Sequence, residues 1–585
     1  MVFRTADDSG SKGQVVVHPT TATADGTSAT VVVPTNAVTD VVRVVGDSTT
    51  NDVPLQIVPV ISSMTVNSVI SDGSFASVTF HGLGFVDGNN SVYQFGGTVI
   101  TDASGQNQGP DVFSSGTQVN LSSVPLNPLS YGPITVKTAG GVSAPVTLTA
   151  TLTVANATAT SGTPANAALP SANPGQTITL TGTGLTTSTG IIGSYTGSDA
   201  IVRFVLLNPA TAAADGTSAT LTVPSYFNGV TQLGVIGAAN PVTLQVVPVV
   251  TSAHVDGTNT LRIFGQGFQE GSASNAVSYN FAGGSVTDTV GNAGPDVYNT
   301  VSGSDNTAVY LPSEPVHGFG TVTVTTAGGT SAPIALNEME TGDGYLRDVA
   351  MDPSNPGQVW IADNGSPAKL HLVNTATGVD IRSITLTSGG GSTTDFGSTN
   401  FFGGMQIVPV TPSGQTSLTL NGVAVPAGSI LLFDGETNPD RVIAVDPSTG
   451  LIISTLILTK NYDMTAGLYD PFSGNLYVTD RTTNPTSIIA INPANGAEIA
   501  NSRFNLPFNA GEAGLALDPA NDGTFWYGSD QGNSVVHLSA TGTVLKTDDL
   551  STQGVALNEI NGLSFDNAGN LLVASRLGVI YRVAV

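Results

Sequence analysis

Short runs of alternating apolar and polar residues cover most of the chain. The runs are rich in Val, Thr, Leu and Ile, and turns containing Gly, Asn, Asp or Pro separate them. Successive side chains of a strand point to opposite faces, so this alternation predicts half-buried β-strands. Before residue 338 no window shows a convincing helical period, and Glu and Lys are scarce. The pattern predicts an all-β chain of sandwich-like modules in this part.

An internal duplication organises the first 338 residues. Three pairs of segments recur at an offset of about 190 residues. They are ADGTSATVVVP at 24–34 and ADGTSATLTVP at 214–224, LQIVPVI at 55–61 and LQVVPVV at 244–250, and TAGGVSAP at 138–145 and TAGGTSAP at 326–333. Each copy divides again into two units of about 90 residues, which is a common size for a β-sandwich domain. We therefore predict four units, at 1–58, 59–150, 151–247 and 248–338.

Residues 59–148 resemble the IPT/TIG family of immunoglobulin-like domains. The resemblance is carried by the entry PVISSM, the strand ending in HGLGF, the FGG that follows it, and the exit strand ITVKTAGGVSAPVTL. The copy at 248–336 repeats all four motifs. The resemblance implies Ig-like β-sandwiches. In such a sandwich Gly82 and Gly84 would supply a bulge or a positive φ, and Phe85 would close the core.

The unit at 1–58 is predicted to be an incomplete Ig-like domain. At the offset of the duplication, Met1 corresponds to Ile191, so the first unit has no counterpart of ITLTGTGL at 178–185. Two explanations are open: the sequence is a fragment of a longer polypeptide, or a neighbouring molecule supplies the strand. Truncation is the favoured explanation.

Residues 339–585 carry a different repeat, with a spacing of about 48 residues. Its opening strands are DVAMDPSNPGQVWIAD at 348–363, AGLYDPFSGNLYVTD at 466–480, AGLALDPANDGTFWYGSD at 513–530 and NGLSFDNAGNLLVAS at 561–575. Each is followed by a strand with a Thr-Gly or Asn-Gly turn. The repeat resembles the NHL/YncE-like class of β-propellers, especially at 442–458. We predict five blades, or six if 387–428 contains another, and expect 332–338 to supply a closing strand.

Charge and composition exclude several function classes. The 585 residues hold 16 Lys and Arg against 42 Asp and Glu, a formal net charge of −26. This charge repels phosphate backbones and anionic lipids, so we expect no nucleic-acid binding. No stretch approaches 18 uninterrupted apolar residues, so we expect no membrane insertion. The absence of cysteine excludes disulfides, thiolate zinc sites and cysteine nucleophiles. The first ten residues, MVFRTADDSG, have neither the basic nor the apolar region of a secretory signal.

Two carboxylate pairs are the candidate metal ligands. Asp102 and Asp111 flank a Gly-rich loop, and Asp288 and Asp296 hold the matching places in the second copy. Carboxylates among Gly, Asn and carbonyl groups suit Ca²⁺, a hard cation that takes oxygen ligands. The spacing differs from that of an EF-hand loop, and loop-shaping turns are the favoured alternative.

A second set of carboxylates recurs in the blades. A ring of them at the propeller mouth could hold a cation, whereas Asp before Pro or Asn also forms Asx-turns that close hairpins. Because the same residue returns in most blades, turns are the favoured interpretation. The set comprises Asp352, Asp470, Asp518 and Asp566 at the ends of first strands, and Asp363, Asp480 and Asp530 at the ends of second strands.

No catalytic or cofactor-binding residue is predicted. The six histidines are scattered singly, without the pairing of a metal box. Lactonase-like propellers use a Glu/Asn/Asp metal set and streptogramin-lyase-like ones use histidine, and neither set can be placed here. Glu512 and Glu559 open their blades, with Asp348 and Asp463 nearby, but they form no motif. We therefore expect that the chain is not an enzyme and needs no cofactor, with Ca²⁺ as the one candidate ion.

These observations favour a bacterial extracellular or cell-surface protein with a structural or adhesive role. A rod of Ig-like units would present a propeller that binds a glycan, a protein or copies of the chain itself. One alternative is a self-assembling filament or sheath subunit completed by strand exchange. Another is a lyase- or lactonase-like propeller enzyme with Ig-like accessory modules. A propeller mouth lined by non-repeated Glu, His and Asn would favour the enzyme.

Overall fold

The protein is built from β-strands, as the alternating pattern predicts. One short 3-10 helix, Leu550–Gln553, is the only helical segment among the residues described. A computed structural model describes residues 1–46, 52–69, 75–103, 109–126, 132–146, 152–155, 157–235, 238, 241–256, 260–291, 294–298, 306–312, 316–389, 391–397, 400, 403–409, 417–507, 509, 511–520, 523–530, 532–553 and 560–585.

The second unit is a sandwich of two four-stranded antiparallel sheets. Phe80 and Tyr93, one from each sheet, are fully buried in the shared core. Gly84 has a φ of 75°, so the predicted positive φ is confirmed, and Phe85 is buried as expected. The first sheet has the order Asp111–Phe113, Gln118–Pro125, Phe75–Leu83, Val60–Val69, and the second has the order Thr98–Asp102, Ser91–Phe95, Ile134–Thr138, Gly141–Val142.

The fourth unit repeats this arrangement. Gly267 has the same φ of 75° as Gly84, and Phe268 is buried like Phe85. A strand of the third unit, Thr163–Pro164, extends one of its sheets. The sheets have the orders Val249–Val255, Leu261–Gln266, Ala308–Leu311, Asp296–Tyr298 and Thr163–Pro164, Gly329–Thr330, Gly320–Thr326, Val277–Phe281, Gly284–Asp288, with Ile334–Leu336 also paired to Gly320–Thr326.

The first and third units differ in completeness. The third unit has a closed core under sheets of four, three and two strands: Leu152–Ala155, Thr177–Gly182, Ser218–Thr222, Thr211–Ala212; Ser171–Ala172, Val242–Val246, Gly229–Leu233; and Ile191–Thr196, Val202–Leu207. Over its described residues, the first unit has three two-stranded ladders: Val2–Ala6 with Lys12–Val16, Thr21–Ala22 with Ala29–Thr30, and Asp40–Val42 with Val53–Leu55. Most of its described residues between 7 and 36 are exposed.

The C-terminal part is a propeller of five four-stranded blades. Over the described residues, the insertion in blade 2 folds as a hairpin, Ser417–Leu420 with Val423–Pro426, rather than as a sixth blade. From the inner to the outer strand, blade 1 is Leu346–Met351, Gln358–Asp363, Lys369–Asn374, Asp380–Thr385; blade 2 is Gly403–Ile407, Ile430–Asp434, Arg441–Val445, Ile452–Ile457; blade 3 is Gly467–Asp470, Asn475–Asp480, Ser487–Ile491, Phe504–Asn505; blade 4 is Ala513–Leu517, Phe525–Ser529, Ser534–Leu538, Val544–Asp549; and blade 5 is Ile560–Phe565, Leu571–Ser575, Val579–Val583, Glu338–Glu340.

The outer strand of blade 5 closes the ring, because it comes from the opposite end of the propeller sequence. Glu338–Glu340 pairs antiparallel with Val579–Val583. The predicted closing segment, 332–338, is therefore placed differently. Its residues Ile334–Leu336 pair with the sandwich strand Gly320–Thr326 instead. The alternation in 332–340 fits a strand in either sheet, so the sequence could not distinguish the two partners.

The fourth unit packs directly against the propeller. The backbone N–H of Phe319 donates a hydrogen bond of 2.8 Å to the carbonyl of Thr375 in a turn of blade 1. The Nδ1 atom of His254 lies 3.1 Å from Oε1 of Glu338, and the N–H of Val255 donates to the same carboxylate. The two modules are thus joined by side-chain and backbone contacts as well as by the connecting chain.

Candidate binding site in the propeller channel

The inner strands of the five blades surround a central channel with two chemically different ends. Residues where inner strands begin line the end that we call the entry end: Arg347, Gly403, Thr465, Glu512 and Asn561. Residues where inner strands finish line a larger cavity at the other end, which we call the basin. The two ends have different capacities for a ligand.

The entry end is closed by an ion pair that joins blades 1 and 4. The Arg347 guanidinium contacts the Glu512 carboxylate, and both side chains are largely buried. The Tyr345 hydroxyl donates to the same carboxylate at 2.7 Å from Oε2. Burial and this carboxylate raise the pKa of Tyr345 to about 12. The cavity here has a volume of only about 10 Å³, so the charged groups act as a plug.

Asp348 lies beside this plug but is enclosed by backbone. Its carboxylate accepts hydrogen bonds from the N–H groups of Val349, at 2.8 Å, and Met405, at 2.5 Å. Burial raises its pKa well above the usual range. Asp348 therefore connects the inner strands of blades 1 and 2 and is not accessible to a ligand.

The basin has a volume of about 350 Å³ and is mainly apolar. Four of the five inner strands contribute to it, and Ser564 accepts a hydrogen bond from the Met351 N–H at its wall. Gln406 is held by two hydrogen bonds to the backbone of Tyr469, while Asn567 is exposed at the rim. The apolar lining includes Met351, Met405, Ile407, Leu515, Leu517 and Phe565. A cavity of this size accepts one compact apolar group.

The blade aspartates form turns, as the favoured interpretation predicts. Asp352, Asp470, Asp518 and Asp566 each accept a hydrogen bond from the backbone N–H two residues further on, at 2.8 to 2.9 Å. This is the geometry of an Asx-turn. In the second-strand set, Asp480 and Asp530 accept from backbone N–H groups, and Asp363 accepts from Gly365 and Lys369.

The predicted calcium ligands lie at the ends of strands in the second and fourth units, in matching positions. Asp102 is buried and accepts from the Gly88 N–H at 2.6 Å, and buried Asp288 accepts from the Gly271 N–H at 2.7 Å. Burial raises the pKa of Asp296, and the nearby negative charge of Asp288 raises it further. Asp111 is half-buried in its strand. Asp102 and Asp288 thus bind the backbone of a preceding loop, at Gly88 and Gly271, and calcium binding stays a prediction.

One further cluster surrounds His371 in blade 1. Its Nδ1 lies 2.6 Å from Asp380 Oδ2, and its Nε2 lies 3.5 Å from Asp363 Oδ2 and 3.9 Å from Asp343 Oδ1. Among the described residues, Asp343, His371 and Asp380 are the one group of three close enough to share a metal ion. Burial lowers the pKa of His371, but the carboxylates raise it more, to about 9. The cluster therefore holds an imidazolium among aspartates at neutral pH.

Sequence reasoning noted that Glu512 opens its blade but assigned it no role, and it did not single out Tyr345, Arg347 or Asn561. Their signal is a departure from the repeat, because these positions differ between blades that otherwise share an opening pattern. Glu559 lies outside the described residues.

Comparisons with known proteins identify no family for the chain. No family model matches it, and no curated protein matches it either. A structural-genomics protein of unknown function from Bacteroides thetaiotaomicron is 15% identical, with a TM-score of 0.25, over 70% of this chain and 95% of that one. An auxiliary nutrient binding protein from the same species is 10% identical, with a TM-score of 0.25, over 58% of this chain and 98% of that one. A protein of unknown function from Bacteroides caccae is 15% identical, with a TM-score of 0.23, over 44% and 82%. Likenesses this weak carry no argument about fold or function.

Among the described residues, no helix has the length and apolar character needed to span a bilayer.

Proposed function

We propose that this chain is an extracellular structural or adhesive protein of a bacterium, in which Ig-like units present a ligand-binding propeller. The observation that carries the proposal is the apolar basin at one end of the channel, with a volume of about 350 Å³. It is the only end with room for a ligand among the described residues, since the charged plug fills the other.

The lining of the basin favours a protein ligand. Met351, Leu517 and Phe565 offer apolar surface, and the polar groups of Gln406 and Ser564 already have partners. Sugars need several hydrogen-bond donors and acceptors, whereas an aliphatic or aromatic side chain needs mainly apolar contact. The net charge of −26 disfavours an acidic partner. An apolar side chain of a neutral or basic protein fits best.

The arrangement of charged residues at the entry end of the channel does not favour catalysis. Non-repeated Glu512 and Asn561 at the entry end meet part of the pattern expected of an enzyme. However, Arg347 already neutralises Glu512 where a divalent cation would bind. The plug also leaves no space for a substrate beside these groups. Binding is therefore the function that we propose.

The proposal is tested by screening the full chain against arrays of extracellular proteins and glycans. Asn567→Trp places a bulky ring at the exposed rim of the basin, and Thr541→Trp adds the same ring to an exposed turn of blade 4 as a matched control. We expect Asn567→Trp to weaken ligand binding at least tenfold and Thr541→Trp to leave it unchanged. Binding that both variants retain would refute the basin as the site.

A further inference from the structure

The cluster around His371 lies where the propeller ring is closed. The closing strand Glu338–Glu340 leads directly into the connection that contains Asp343, whereas His371 belongs to the third strand of blade 1. The two side chains approach each other, and His371 is only 5% exposed. A group that bound both of them would therefore connect the end of the closing strand to the first blade.

The cluster holds more negative than positive charge. Asp343, Asp363 and Asp380 surround the single imidazolium of His371, so three negative charges and one positive charge leave a net charge of −2. Burial raises the pKa of Asp343, and the charges of Asp380 and Asp363 raise it further, against the opposite effect of His371. The cluster is therefore an environment that favours an additional cation.

Asp343 differs from the aspartates that close turns, because one of its carboxylate oxygens has no partner. Among the described residues, no hydrogen-bond donor reaches its Oδ2 atom, although this atom is closed off from solvent. A buried carboxylate oxygen without a donor costs free energy. Its Oδ1 atom lies 3.9 Å from Nε2 of His371, too far for a hydrogen bond. The carboxylate is thus held beside the imidazole with its capacity for ligands unused.

The spacing of the side chains suits a metal ion. Asp343, His371 and Asp380 can each place one ligand atom within 4.8 Å of the other two. Ligand atoms of a tetrahedral zinc site, with bonds of about 2.0 to 2.2 Å, are about 3.3 to 3.6 Å apart. The side chains of Asp343 and Asp380 are 23% and 42% exposed, so both can adjust to this spacing and an ion can reach them from solvent.

Asp363 holds the imidazole in the orientation that a ligand needs. Its Oδ1 atom accepts hydrogen bonds from the backbone N–H groups of Gly365 and Lys369, and its Oδ2 atom lies 3.5 Å from Nε2 of His371. An outer carboxylate at one ring nitrogen fixes the tautomer and the ring orientation of a metal-binding histidine. The other nitrogen, Nδ1, is then the ligand atom, and it already lies 2.6 Å from Asp380 Oδ2.

We propose that Asp343, His371 and Asp380 bind a divalent first-row transition-metal ion of the Zn²⁺ class, which connects the closing strand to blade 1. Imidazole together with carboxylate suits this class, whereas Ca²⁺ and Mg²⁺ take oxygen ligands. The ion takes the place of the proton that Nδ1 holds in the metal-free protein, and that proton is released to solvent. None of these residues lines the basin, so the inference does not depend on the proposed ligand of the propeller.

The test adds Zn²⁺ to the full chain after dialysis against a chelator. Isothermal titration calorimetry measures binding, and tryptophan fluorescence measures the melting temperature of the propeller. We expect a saturable site for one ion per chain. Because an ion that binds only the folded state stabilises it, the melting temperature should rise by about 5 °C at about 100 times the Kd. Ca²⁺ at the same concentration should leave the melting temperature unchanged.

Asp343→Asn and Asp380→Asn each remove one charged ligand at a partly exposed position, and each should weaken Zn²⁺ binding at least tenfold. Circular dichroism of the metal-free variants checks that both are folded. His254→Asn is the matched control, because His254 also lies beside a carboxylate, that of Glu338, but outside the group of three. It should bind Zn²⁺ like the wild type.

The proposal would be overturned by a wild-type chain without saturable Zn²⁺ binding. Folded Asp343→Asn and Asp380→Asn variants that bind as tightly as the wild type would overturn it as well, because the ion would then lie elsewhere. An equal rise in melting temperature with Ca²⁺ would refute the class of ion. Saturable binding that leaves the melting temperature of the propeller unchanged would refute the connection between the closing strand and blade 1.

Discussion

His371 shows how a buried charge is compensated in a chain with few basic residues. Asp343 lies in the connection before blade 1, whereas Asp363 and Asp380 belong to blade 1 itself. The imidazolium therefore holds the connecting chain against the blade as well as balancing three carboxylates. Its protonation state must affect how firmly the propeller is closed.

We expect the stability of the propeller to fall between pH 6.5 and pH 9. The folded pKa of His371 is about 9 and thus above the ordinary value of 6.5, so its contribution is complete below pH 6.5 and is lost as the pH rises through 9. After solvent screening, the loss is about 1 kcal/mol, or roughly 3 °C in melting temperature. Fluorescence melting isolates the propeller because it contains both tryptophans, Trp360 and Trp526. The His371→Asn variant should lack this part of the pH dependence. A variant whose melting temperature falls with pH as that of the wild type does would contradict the prediction.

Single residues were predictable from the sequence where their role is local. An aspartate that closes its own hairpin, such as Asp352, is surrounded by residues adjacent in sequence, so its Asx-turn could be inferred. The partners Arg347 and Glu512 are 165 positions apart, on blades 1 and 4, and the ring arrangement of the blades brings them together. A sequence pattern relates only residues that are close along the chain. The contact that forms the plug at the entry end could therefore not be inferred from the sequence.

Closure of the propeller depends on one three-residue strand. Met339 in Glu338–Glu340 is fully buried between blades 5 and 1, in a cluster that includes Phe319 and Ile580. The blade starts were predictable, because each blade repeats its own turns. The source of the closing strand, the chain just before the propeller, was predicted as well, but its bounds were not, since two short strands on either side of Asn337 serve different modules.

Met339→Asp should open this closure. The substitution removes an apolar side chain from the core and buries a charge, which together cost about 3 to 5 kcal/mol. We expect the fluorescence melting temperature of the propeller to fall by about 10 °C. Val544→Asp, at a half-exposed position on the outer strand of blade 4, is the control and should change it little. Equal melting of the two variants would show that the strand is dispensable.

At the scale of the whole molecule, the fourth unit and the propeller form a contact that fixes their orientation. Gly318 approaches the blade 1 turn so closely that a Cβ would stand 2.2 Å from the carbonyl carbon of Ala376 and 2.3 Å from the Thr375 oxygen. The repeat pattern predicted separate modules along the chain. It could not predict this contact, because the requirement for glycine at 318 depends on a turn 57 residues later.

Gly318→Val should force the two modules apart. We expect a larger radius of gyration in small-angle scattering and faster proteolysis at residues 341–345, because the connecting chain loses its cover. Gly344→Val lies in that connection, where nothing approaches a Cβ within 4 Å, and serves as the control. An unchanged radius and cleavage rate for Gly318→Val would show that the contact does not set the orientation.

Hydrogen–deuterium exchange of the full chain, with and without the strongest ligand from the arrays, tests the proposed function most directly. We expect slower exchange at residues 351–353, 405–409, 515–517 and 563–567, which line the basin. Slower exchange confined to the entry end around Arg347 and Glu512, or to the Ig-like units, would contradict the proposed function.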